Sequence, residues 1–253
     1  MLVPRVIPCL LFKDSALVKT IKFKNGNYIG DPINTIRIFN NLEVDELIFL
    51  DITATKKNKK PPFDVISQVT SECFMPLTYG GGVRSIEDMK KIFSLGVEKI
   101  VIGSYAVENP SFIKEISKLF GSQSIIVSID VKKDYSGKSK IYINNGTKPT
   151  ERTPVEFAIQ VEQMGAGEIF LNSIDKDGMM EGYDTGLIKT VSGAISIPLI
   201  ACGGAGRIED LGMAVKAGAS AVAAGSLFVY QGRNRSVLIN FPSRDETEAV
   251  LKK

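Results

Sequence analysis

The sequence predicts an α/β protein, a (β/α)8 barrel made of two duplicated half-barrels, with residues 1–253 forming one domain. Three observations carry this expectation. Eight short apolar runs alternate with amphipathic stretches, a set of residues recurs at constant spacing, and no glycine fingerprint of a doubly wound dinucleotide fold follows the first run. A length of 253 residues with 44% hydrophobic content suits one such barrel.

Strands are expected at residues 5–11, 46–51, 75–79, 99–103, 124–130, 168–172, 197–202 and 220–225. Helical stretches such as 85–95 and 208–217 lie between them and end near Gly96 and Gly218, which can take the left-handed cap conformation. Near-continuous apolar strands alternating with helices imply a parallel sheet covered by helices, and eight units close it. After the first strand, Leu11-Phe12-Lys13-Asp14-Ser15 offers no glycine for a dinucleotide phosphate.

The repeat is specific. Pro76, Gly81, Gly82, Ile86, Glu87, Asp88, Gly96, Gly103 and Ser104 recur 122 positions later as Pro198, Gly203, Gly204, Ile208, Glu209, Asp210, Gly218, Gly225 and Ser226. Glu46 and Glu168 share that offset. The chain reads as a duplication of four βα units.

Composition excludes several chemistries. Thirty-one basic and 28 acidic residues leave a net charge of +3, with no Lys/Arg block that marks a nucleic-acid or membrane surface. The absence of histidine rules out Ser-His and Cys-His catalysis and histidine metal sites. Cys9, Cys73 and Cys202 are too scattered for a disulfide frame or a zinc site and read as buried thiols in a reducing compartment. No stretch approaches the ~18 apolar residues of a membrane span, and no leader pattern opens the chain, so a cytoplasmic location is expected. Neither a metal nor a cofactor is expected.

Barrel active sites lie at the C-terminal strand ends, which narrows the candidates. Gly81, Gly82, Gly103 and Ser104 in one half, and Gly203, Gly204, Gly225 and Ser226 in the other, form two expected phosphate cradles. Glycine admits close backbone N–H approach, and a helix N-terminus and a serine hydroxyl add donors. The alternative, glycines serving tight turns only, is weaker for two clusters in matching register. Asp130, behind the apolar run Ile125 to Ile129, is the candidate general acid or base, with a cap or loop ion pair as its plainer role. Asp51 reacts or orients a neighbour. Asp177 and Gly178 read as a loop closing over the second phosphate. Lys19 lies in the long segment 12–31, read as a lid over the mouth, and its plainer role is that of an exposed, solvated lysine.

With these residues placed, the chain resembles the HisF family, the cyclase subunits of imidazole glycerol phosphate synthase. The resemblance rests on Arg5-x-Ile7-Pro8-Cys9-Leu10, Gly30-Asp31-Pro32, Leu50-Asp51-Ile52-Thr53-Ala54, residues 76–82, Asp175-x-Asp177-Gly178, Gly182-Tyr183-Asp184 and Gly203-Gly204-Ala205-Gly206. It implies a lyase of histidine biosynthesis that takes ammonia from a HisH-type glutaminase at the N-terminal face and uses it on a doubly phosphorylated small molecule. It also implies that Arg5, Glu46, Lys99 and Glu168 form a charged ammonia inlet, for which a stabilising salt-bridge ring is the structural alternative. Of the family's two catalytic aspartates, one matches Asp130 and the other falls on Leu11. The repeat agrees, because aligning residues 5–12 with 124–131 sets Leu11 against Asp130. Leucine transfers no proton. Gly103 replaces a family asparagine.

The segment 231–242 resembles HisF-like paralogues of surface-polysaccharide synthesis, which implies a sugar amidotransferase as a further partner. Three functions stay open: an ammonia-delivering subunit, an authentic cyclase, and a non-catalytic phosphosugar-binding scaffold that activates the glutaminase. The related isomerase of the same pathway needs no inlet, and the four inlet charges argue against it.

Overall fold

The computed structural model describes residues 4–232 and 234–252. Eight parallel strands close on themselves: β1 (Arg5–Lys13), β2 (Leu47–Asp51), β3 (Leu77–Gly80), β4 (Lys99–Ile102), β5 (Ile125–Lys133), β6 (Glu168–Ser173), β7 (Leu199–Cys202) and β8 (Ala221–Ala224), with β8 paired back onto β1. The outer layer comprises α1 (Pro32–Asn41), α2 (Phe63–Glu72), α3 (Ile86–Ser94), α4 (Ser111–Phe120), α5 (Pro154–Gln163), α6 (Thr185–Ser192), α7 (Ile208–Lys216) and the C-terminal α8 (Arg244–Leu251). This is a (β/α)8, or TIM, barrel. All eight expected strands are present.

Local chemistry sets the helix ends. Asp31 accepts the Asn34 N–H and Pro32 opens α1, while Ser85 accepts the Asp88 N–H at the start of α3. Asp210 takes the N–H groups of Gly206 and Arg207 at the matching point of α7. The caps Gly96 and Gly218 adopt φ of 100° and 112°.

The apolar residues divide between two regions. Ile7, Ile48, Val101, Ile126, Phe170 and Ile200 fill the barrel interior, while Phe39, Phe49, Ile113 and Phe157 lie between sheet and helices. Strand residues point alternately inward and outward, so both regions draw on the same strands.

Strand register establishes the duplication. Thr78 pairs with Lys99 as Ile200 pairs with Ala221, and Ile48 with Thr78 as Phe170 with Ile200. Leu11 pairs with Leu50, and Asp130 with Asn172. Leu11 and Asp130 are therefore equivalent positions in the two halves.

Two regions differ from expectation. The segment read as a lid is a β-hairpin, with strands Ala16–Ile21 and Lys24–Gly30, that continues β1 by antiparallel pairing. A second excursion after β5, strands Ser139–Ile143 and Lys148–Pro149, also went unpredicted. Such hairpins extend barrel strands past the sheet, so their alternation merges with that of β1 and β5. Of the cysteines only Cys9 is buried, with Cys73 and Cys202 partly exposed.

The distinctive C-terminal segment pairs Tyr230–Gln231 with Ser236–Val237, and the Phe241 ring packs against that of Phe228, tilted by 49° with centroids 4.9 Å apart. Arg233 within it lies outside the described residues. Among the described residues no helix is long and apolar enough to cross a membrane.

Candidate functional site

The strand ends surround a cavity of about 150 Å³ at the C-terminal mouth. Every residue singled out in the sequence for phosphate contact or proton transfer lines it: both glycine-serine sets, Asp130, Asp51, Lys19, Asp177 and Gly178. Arg5, Glu46, Lys99 and Glu168 lie instead at the other end of the lumen.

Asp130 projects from β5 into this cavity, walled by Leu11, Val101 and Phe170. Burial raises its carboxyl from 3.8 to about 7, the Ser128 hydroxyl bonded at 3.3 Å opposes the shift, and the Asp177 charge adds to it. Such a group exchanges protons near neutrality. Between its unfolded and folded pKa the native protein keeps a proton that the unfolded chain has lost, so folding stability falls as pH rises from about 4 to about 7. Asp130→Asn is expected to remove this dependence, gaining on wild type by up to about 1.4 kcal/mol per pH unit across that window. Urea midpoints of both proteins at pH 5 and pH 8 check this; a constant difference between them refutes it.

The layer around Asp130 is asymmetric. Cys9, Leu11 and Leu50 make one side apolar, whereas their duplicates Ser128, Asp130 and Asn172 make the other polar. Cys202, partly exposed, joins this layer, and the neighbouring Cys9 thiol first and desolvation second hold its thiol well above its ordinary pKa. A raised thiol pKa disfavours the thiolate, the nucleophilic form.

Lys19, read as an exposed lid lysine, is buried at 6% exposure. Its ammonium donates to Asp177 at 2.7 Å and to the Thr20 carbonyl at 3.1 Å. Asp177 also accepts the Thr20 hydroxyl at 2.7 Å and the Phe23 N–H at 3.3 Å. The Asp177-Gly178 turn thus clamps the hairpin to β6. Gly178 has a φ of 72°, and a Cβ there would collide with the Thr20 carbonyl. Gly178→Ala is expected to cost about 1–3 kcal/mol by straining this clamp. Faster proteolytic cleavage within residues 13–30 checks it, and an unchanged rate counts against it.

Asp51 accepts from the Thr53 N–H, the Thr53 hydroxyl and the Ala54 N–H, which makes it an organiser of its loop. Asp175, another strand-end carboxylate, turns away to accept the Lys133 N–H at 2.9 Å.

The two cradles are not equivalent. Ser104 accepts the Asn144 N–H at 2.9 Å from the excursion after β5. Among the described residues, the buried side-chain polar atoms without a partner are Ser226 Oγ and Asn172 Oδ1, both in residues lining the cavity. An unpaired buried polar atom is costly, so both carry hydrogen-bonding capacity that the protein's own groups leave unused. Asn172 was missed in the sequence; its signal was the strand-end position 122 residues after Leu50.

At the base, the four charges form a closed alternating ring. Arg5 donates to Glu46 and to Glu168 at 2.5 Å each, Lys99 lies 2.5 Å from Glu168 and 3.7 Å from Glu46, and the Thr78 hydroxyl donates to Glu46 at 3.1 Å. Above it the lumen is apolar up to the Asp130 layer.

The family described as "Histidine biosynthesis protein" matches residues 5–234. A protein of Pseudomonas aeruginosa named "Putative imidazole glycerol phosphate synthase subunit hisF2" is 52% identical, covering 94% of this chain and 95% of that one. The chain belongs to the HisF family. A HisF-family relative from Leptospira interrogans, "Putative imidazole glycerol phosphate synthase subunit HisF", is 47% identical over 99% of this chain and 100% of its own. The "Imidazole glycerol phosphate synthase subunit HisF" of Pyrococcus furiosus is 44% identical over 91% of each chain. The likeness to HisF proteins therefore spans both half-barrels, including mouth and base.

Proposed function

We propose that this HisF-family chain receives ammonia from a HisH-type glutaminase at its N-terminal face and delivers it through the barrel to an acceptor other than the imidazole precursor. The observation that carries this reading is Leu11 at the register position that duplicates Asp130, beside an inlet ring and an apolar lumen that are both complete. Ammonia crosses an apolar lumen as the neutral molecule, and a charge there would be strongly disfavoured. Proton transfer at the mouth falls to Asp130 alone, with Lys19 and Asp51 engaged in holding loops.

In this reading the glycine-serine cradles hold a phosphorylated ligand, with Ser226 and Asn172 supplying unused polar atoms. The acceptor is a sugar destined for a surface polysaccharide, modified by a separate sugar amidotransferase, in accord with the resemblance of segment 231–242. The protein works in the cytoplasm without a metal or organic cofactor.

The test is an assay of the purified chain with the bisphosphorylated ribonucleotide of histidine synthesis and ammonium salt. No turnover is expected, while the chain still binds a HisH-type glutaminase. Turnover at rates usual for an enzyme overturns the reading and favours the second one, an authentic cyclase, which the names of the 41–44% identical relatives support.

A further inference from the structure

Three segments far apart in sequence meet above the mouth. Lys57 of segment 52–62 pairs with Asp14 of the hairpin arm at 2.6 Å. Asn145 of the excursion after β5 donates to the Ile52 carbonyl, and Gly146 packs beside Phe23 of the hairpin. Together residues 13–31, 52–62 and 131–152 carry fourteen basic and four acidic side chains, against seventeen and twenty-four in the remainder. A chain that is nearly neutral as a whole therefore has a strongly positive roof. Lys56-Lys57-Asn58-Lys59-Lys60 is its densest part, a basic block where none was expected from the sequence, and the remaining charge comes from segments far apart in the chain.

Eight exposed lysines in the roof, among them Lys22, Lys24, Lys56, Lys59, Lys60 and Lys138, have no carboxylate within ion-pair distance among the described residues. None of the eight lines the cavity, so their charge faces outward. Tyr28, at 67% exposure, and the fully exposed Tyr135 stand among them on the two excursions. Tyr135 sits on a turn ordered by Asp134, which accepts from the Ser136 N–H and hydroxyl and from the Lys138 N–H.

We propose that this roof is the docking face for an acidic surface of a second protein, the enzyme that takes up what leaves the barrel mouth. The proposal rests on the ammonia-delivery reading above. Lysines outside the cavity act on a body larger than the bound ligand, and unpaired charge of one sign steers a partner of opposite sign into place. Exposed tyrosines are among the side chains that anchor protein interfaces. Nucleic acid fits less well. The roof's only arginine, Arg152, is engaged with Gln160 and the Phe157 ring, which leaves no free guanidinium fork for bases or phosphates.

The experiment places the photo-reactive residue p-benzoylphenylalanine at Tyr135 of the full chain in its source cells, irradiates, and identifies the adducts. The captured protein is then purified. Its binding is measured to wild type and to the triple variant Lys56→Glu, Lys59→Glu, Lys60→Glu at about 50 and 300 mM salt, on either side of strong screening. The expected result is an adduct with an enzyme of a nitrogen-accepting reaction whose affinity falls about tenfold in the variant and also falls with salt. An adduct only with nucleic acid, with the glutaminase or with a second copy of this chain overturns the proposal, as does no adduct or an affinity indifferent to charge reversal. Glutaminase binding at the opposite face is measured alongside. Its absence in wild type defeats the ammonia-delivery reading, whereas its presence with a failed roof experiment defeats the docking proposal alone.

Discussion

Leu11→Asp is expected to confer turnover of the bisphosphorylated ribonucleotide with ammonium, a gain of at least about a hundredfold over the wild-type background, which the proposed function expects to be nil. The strand register places position 11 where its duplicate is Asp130, so the new carboxylate enters the same layer from the opposite half. One group then protonates while the other accepts. The cradles need no change for this, since every glycine and serine predicted for them already lines the cavity. A readout independent of activity accompanies it. A second carboxylate across the mouth opposes ionisation of Asp130 and moves its titration above about 7. Carbon-detected NMR of the labelled side chain measures that shift. Wild-type turnover as fast as that of the variant would show that Leu11 is no obstacle to the reaction.

Glu46→Ala is expected to lower stability by about 3–5 kcal/mol, because it leaves Arg5 and Lys99 sharing one carboxylate in a barrel base where the Glu46 side chain is 4% exposed. The Thr78 hydroxyl loses its acceptor as well. Replacing all four ring charges by apolar residues of similar size is expected to recover most of that loss, since each ion pair offsets its own desolvation and little more. Function should not recover with it. If the ring is the inlet, the apolar version folds yet loses nitrogen transfer from glutamine, while transfer from free ammonium persists. Equilibrium urea denaturation gives the first quantity and the ratio of glutamine-driven to ammonium-driven transfer the second. An apolar ring with an unchanged ratio would reduce the four charges to a structural fastening.

The barrel, its duplication and many of the residues at its mouth were legible in the sequence. Apolar periodicity and the 122-residue repeat are local or pairwise properties of the chain, and a barrel strand end has only one place to point. The contrast between Leu11 and Asp130 was legible for the same reason, and strand pairing then placed the two at equivalent rungs. Other features depend on partners that folding brings together from distant parts of the chain. Lys19 reads as a solvated lysine until folding sets it against Asp177, 158 residues away, and Ser226 becomes an unpartnered buried hydroxyl only once its surroundings are packed. Charge behaves likewise. A neutral average concealed the basic roof because electrostatic potential adds over distance in space, and three separate loops converge there only when the barrel closes.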